Sequence, residues 1–179
     1  IDEKQTQPVR VSGVGPDAIQ GDRQVREQVE KPVADYIEGL AETVVADSAV
    51  ALDGVRNNVR SKETNLGNLL ADALLWAGKE KAAEYGVPEP QVSIQNGGGI
   101  RNDSVIPAGE VTALNTYEIA PFANFVAVVP EVPRETLRQL LERGVAEAPS
   151  ASGAFMQVGG LKFTYDTSKQ AQEVEPGSG

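Results

Sequence analysis

The chain has 179 residues, 40% hydrophobic and 23% charged, which suits one globular domain with a single core and leaves little room for a second complete one. Its formal net charge of -10 repels phosphate polymers and anionic lipid, so nucleic acid and membrane surfaces are poor partners. With neither cysteine nor histidine, the chain offers no thiol or imidazole nucleophile, no histidine base and no structural zinc site.

A small anionic ligand remains compatible with this charge only where a local arginine cluster overrides the global field. No stretch approaches the roughly 20 apolar residues of a membrane span. No signal-peptide pattern opens the sequence at Ile1, so the expectation is a piece of something longer. Residues 1–21 mix Pro, Gly and charge without a period that buries a face, and read as an inter-domain linker. From Asp22, a good N-cap, Val25, Val29, Val33, Ile37, Leu40 and Val44 recur at steps of three and four. This predicts an amphipathic linking helix over 22–45, kinked at Pro32. Residues 46–179 then form the main domain.

The Val- and Ala-rich TVVADSAVAL predicts a strand. Leu66, Leu69, Leu70, Ala73, Leu74 and Ala77 make the apolar face of a helix running to about Tyr85. Thr64 or Asn65 caps it and Gly86 stops it. Trp76 on that helix reads as core or interface. QVSIQ predicts a short strand that runs into the glycine loop NGGGIR. FVAVV predicts a buried strand, PRETLRQLLERGVAEA a helix with Pro133 at its first position, and LKFTYD a further strand. Strands alternating with helices predict an α/β or α+β layered domain. The polar tail after Asp166 ends in a Pro, Gly and Ser cluster of the kind that joins two strands, so the fold is expected to be incomplete at its C-terminal end.

Three segments could carry chemistry. In NGGGIR, Gly97, Gly98 and Gly99 let a ligand reach backbone N–H groups, and Arg101 adds a forked cation beside Asn96. A tight turn with an arginine on a surface carboxylate explains the same residues. In RSKETNLGNLLAD, Arg60 precedes a helix N-terminus, which favours an oxyanion more than packing, although capping alone accounts for Thr64 and Asn65. Gly67, costly at a helix start, implies close packing against another backbone. In APFANF, Phe122 beside Pro121 either stacks a planar base or plugs the core, and Phe125 reads as core. The sequon Asn102–Ser104 is given no role, and the acidic residues show no spacing that binds two metals.

RSKETNLGNLLAD, NGGGIR, IPAGEVT, PFANF and FMQVGG, in that order between Asp53 and Asp166, resemble the C-terminal domain of the 5'-nucleotidase family. That family includes bacterial UDP-sugar hydrolases and animal ecto-5'-nucleotidase. The resemblance implies a layered α/β/β/α fold that binds the nucleoside part of a nucleotide. Its partner is an N-terminal metallophosphatase domain of the same protein, which carries two divalent metal ions and a catalytic His/Asp pair. By position, Arg60 and Arg101 look like substrate-contacting cations, Asn96 like the amide that reads the base, Gly98 like part of the binding loop, and Phe122 like one jaw of an aromatic clamp. The second jaw and a ribose-binding Asp lie in a GGDG-type segment that this sequence lacks. The resemblance thus places no catalytic residue and no metal ligand in this chain, and it implies export. The parent protein is then expected to be an exported nucleotidase or a related 2',3'-cyclic nucleotide phosphodiesterase, with a sulfur-compound hydrolase and a non-catalytic binding module as the alternatives.

Overall fold

The computed structural model describes residues 21–170, and expectations for residues 1–20 and 171–179 lie outside it. The chain divides into two compact units, one ending at Thr43 and the other beginning at Val44.

In the first unit Asp22 caps the helix as predicted, its carboxylate accepting from the N–H groups of Gln24 and Val25. The helix runs as α1 (Arg23–Val25), a π turn (Arg26–Glu30) and α2 (Lys31–Glu42). Pro32 cannot donate a backbone hydrogen bond, and the irregularity falls in the turn just before it, where the Lys31 N–H reaches back to the Arg26 carbonyl. Val44 leaves the predicted stripe because it opens a strand. The stripe is exposed: Val25, Val29, Val33 and Ile37 are each at least 44% accessible.

The second unit mixes helices with three small antiparallel ladders, an α/β arrangement. Strand β1 (Val44–Ser48) pairs with β5 (Gly109–Thr112), β2 (Leu52–Asp53) with β4 (Val105–Ile106), and β3 (Ser93–Asn96) with β6 (Met156–Gly159). Helix α3 (Arg56–Val59) follows β2, α4 (Asn65–Tyr85) precedes β3, α5 (Ala113–Ile119) follows β5, and α6 (Arg134–Val145) precedes β6. The core comprises Leu52, Val59, Leu66, Ile100, Ile106, Val111 and Ile119, drawn from the segments between β2 and α5.

Helix α4 forms for the predicted reasons. The Thr64 hydroxyl accepts from the Gly67 N–H, and Gly86 adopts the left-handed conformation (φ 64°) that a side chain would resist. Its buried face differs from the leucine stripe. Leu66, Gly67, Ala71, Gly78 and Ala82 are buried, whereas Leu69 is 51% and Trp76 66% exposed, so Trp76 is not core. Small residues face inward because β6 comes so close: a Cβ at Gly159 would lie 3.1 Å from the Ala71 carbonyl carbon. Pro133 sits one position earlier than predicted, as the N-cap of α6.

Two predicted strands do not form. FVAVV has no ladder partner among the described residues, and Phe125 is 99% exposed rather than core. LKFTYD is likewise unladdered, with Phe163 and Tyr165 tilted against each other at 6.1 Å. Apolar β-branched composition favours a strand only where an edge is available to satisfy its backbone groups. Conversely β4 and β5 form from the short segments flanking Pro107, too brief to stand out by alternation.

Candidate functional site

The site begins at the turn between α3 and α4. Asp53 holds the entry to α3: its carboxylate accepts from the Val55 N–H at 3.1 Å and the Asn58 side-chain amide at 2.8 Å. Asp103, at φ 47°, accepts from the Arg56 N–H at 2.8 Å. Arg60 caps the helix, and its carbonyl accepts from the Ser152 N–H at 2.9 Å. Its Nε is buried without a hydrogen-bond acceptor. Desolvation, followed by repulsion from Arg56 and Arg101, pulls its guanidinium below the ordinary arginine range, and Asp103 opposes this in part. Arg56 and Arg101 thus lie near enough to Arg60 to act on its charge, a local gathering of arginines in a chain whose net charge is negative.

The glycine loop stands beside this turn. Asn96 ends β3, and Gly97–Gly99 form one 3₁₀ turn. A Cβ at Gly97 would collide with the Val59 carbonyl oxygen, so glycine is required for the loop to touch the Arg60 turn. The Gly97 N–H donates to the Phe155 carbonyl at 2.7 Å and the Gly98 N–H to the Gly153 carbonyl at 3.0 Å. Those two donors are therefore engaged within the protein. The Asn96 side-chain amide donates to the Gly153 carbonyl at 3.2 Å and its oxygen accepts from Gln95 at 3.4 Å, leaving one donor hydrogen and one acceptor lone pair on an exposed side chain.

Arg101 links the loop to the aromatic. Its guanidinium donates to the Gly98 carbonyl at 3.4 Å and lies 5.6 Å from the centroid of the Phe122 ring, within cation–π range. Phe122 remains 53% exposed. A cavity of about 230 Å³ lies against it, lined by Leu70, Ala73 and Leu74 of α4 together with Gln95, Gly99 and Asn124. Among the described residues, no three carboxylates cluster so as to hold a metal ion. Arg60, Arg101, Gly98, Asn96 and Phe122 therefore share one neighbourhood that sets positive charge beside an exposed ring.

A family model described as 5'-nucleotidase, C-terminal domain, matches residues 44–175. The chain belongs to this family. The trifunctional nucleotide phosphoesterase protein YfkN of Bacillus subtilis is 36% identical over 72% of the chain, and bovine 5'-nucleotidase is 33% identical over 67%. The solved 5'-nucleotidase precursor of Thermus thermophilus superimposes with a TM-score of 0.65 at 34% identity, covering 81% of this chain. The chain spans only 8% and 21% of those two relatives and 27% of the solved structure. The α/β class and the family reading of the sequence are thereby shown.

Several residues of this 5'-nucleotidase C-terminal domain escaped sequence reasoning. Arg56 joins the arginine cluster, and its spacing of four from Arg60 on a helical turn was the available signal. Gln95 lies under the glycine loop, where a Cβ at Gly99 would collide with its amide. Gly67 does pack closely, but against the Gln157 side chain rather than a backbone. Asn102 of the sequon turns inward, donating to the Ser104 carbonyl at 2.9 Å, with its oxygen buried beside Gly54.

Proposed function

We propose that this domain is the nucleotide-recognition part of a metal-dependent phosphohydrolase of the 5'-nucleotidase type. The observation that carries the reading is the Arg101 guanidinium set over Phe122 beside the desolvated Arg60. In it the arginines attract the phosphate oxygens, the exposed Phe122 ring stacks the base, and the free donor and acceptor of Asn96 are left for a polar edge. Gly98 lets the loop pack against Gly153 beside the Asn96 amide, where a Cβ would lie 3.0 Å from each. Bond cleavage, two divalent ions and the residues that hold them belong to an N-terminal metallophosphatase domain of the same protein, which the far greater length of the relatives supports. Export is part of the same proposal. No described helix is long and apolar enough to cross a membrane.

A sulfur-compound hydrolase with the same plan would have Phe122 in the core, and its 53% exposure speaks against that reading. The test is calorimetric titration of the chain with AMP, adenosine and inorganic phosphate. AMP is expected to bind more tightly than either fragment, because only it engages the arginines and the ring together. Equal heats for AMP and phosphate would remove the ring from the site. No heat with any of them would leave a scaffold without recognition.

A further inference from the structure

Gln157 is a long polar side chain only 1% exposed, at a position that β-strand alternation alone would give to an apolar residue. Its amide nitrogen donates to the Val59 carbonyl at 3.0 Å and the Lys62 carbonyl at 2.8 Å, and its oxygen accepts from the Thr64 N–H at 3.3 Å. These three partners bracket Arg60 in the chain, and they are reached across 93 to 98 residues of sequence. Both amide hydrogens are used, so no other side chain of similar volume makes the same set. Gly67 clears the space, since a Cβ there would collide with the carboxamide. The same turn is also met by Gly97, packed against the Val59 carbonyl, and by the Ser152 N–H, which donates to the Arg60 carbonyl. The Arg60 Nε is buried without an acceptor, so no hydrogen bond at that edge of the guanidinium holds it independently of its backbone turn.

We propose that Gln157 is a positioning residue for ligand recognition: its carboxamide fixes the 59–64 turn and thereby aims Arg60 at the anionic group of the ligand. The proposal rests on the reading of Arg60 as a ligand-contacting cation. Removing the carboxamide leaves two carbonyls and one N–H without their partner, and the turn rearranges to recover hydrogen bonds. Affinity for the charged part of the ligand then falls while the base-stacking part is unaffected. A merely structural residue would lower both together.

The test compares AMP and adenosine binding to the full chain carrying Gln157→Leu, Gly67→Ala or Arg60→Met, each shown to be folded by its thermal transition. Gly67→Ala keeps the glutamine but displaces its carboxamide, which covers the case in which Gln157→Leu does not fold. Both are expected to weaken AMP binding about tenfold, the scale of one lost charge-assisted hydrogen bond, and to leave adenosine within about twofold. The Arg60 Nε–H resonance is expected to shift and exchange faster, with that of Arg138 as an unmoved control. If Arg60→Met weakens AMP binding while the folded Gln157 and Gly67 variants do not, the positioning role is overturned. If Arg60→Met leaves AMP binding intact, the recognition reading fails instead, and an Arg60 resonance unmoved in the folded variants then overturns the positioning role on its own.

Discussion

The arginine half and the aromatic half of the candidate site are built by opposite means. Around Arg60 the backbone is braced from several directions: Gln157 holds Val59, Lys62 and Thr64, Ser152 holds Arg60, and Gly97 leaves no space above the Val59 carbonyl. Around Phe122 the bracing is lighter: the Asn124 N–H donates to its carbonyl at 2.8 Å, the Arg101 cation lies over a ring that is 53% exposed, and Phe125, three residues on, is 99% exposed. The difference teaches that the backbone turn carrying Arg60 is pre-organised by buried hydrogen bonds. The ring instead stands on a segment whose apolar residues have no ladder to join among the described residues.

Substitutions can break that contrast. The largest effect is expected for Phe155→Ala, since Phe155 is 4% exposed and its carbonyl receives the Gly97 N–H: a loss of about 3–5 kcal/mol in urea unfolding. Phe125→Ala, the same chemical change at a 99% exposed position, should alter stability by no more than about 0.5 kcal/mol. A comparable loss at both sites would refute the division into braced and unbraced halves. Gly97→Ala forces a methyl against the Val59 carbonyl and should cost about 1–3 kcal/mol by the same measurement. Thr64→Ala removes the cap of α4 and should cost about 1 kcal/mol.

The smallest effect concerns charge on α6. Hydrogen bonding to Arg138 holds the exposed Glu135 carboxyl below the ordinary glutamate range. A carboxyl depressed in the folded state contributes stability above its unfolded pKa and loses that contribution as pH falls through the lower, folded value. Arg138→Gln should therefore return the Glu135 midpoint upward in an NMR titration, with little change in stability because the pair is solvent-screened.

Most of the elements were legible where local chemistry decides them. Asp22, Thr64 and Gly86 bound their helices as caps should, and the triple glycine marked the loop that touches a neighbouring backbone. The illegible parts depend on partners remote in sequence. FVAVV and LKFTYD have the composition of strands and lack an edge to join among the described residues, while beyond Leu66 the buried positions of α4 are small residues because β6 demands close approach. In the site, the sequence named Arg60, Asn96, Gly98, Arg101 and Phe122, and the fold brings them into one neighbourhood. Gln157 lies within FMQVGG, but nothing local gives it a role, because its three partners lie more than 90 positions away.

The central claim is that one ligand engages the braced arginines and the exposed ring together. Its most direct measurement is AMP affinity of the chain in the Arg60→Met, Phe122→Ala and doubly substituted forms, read as a double-mutant cycle. The account predicts that each single change weakens AMP binding by about fivefold or more, with Phe122→Ala also weakening adenosine and Arg60→Met sparing it. AMP binding that survives both substitutions unchanged would contradict the account.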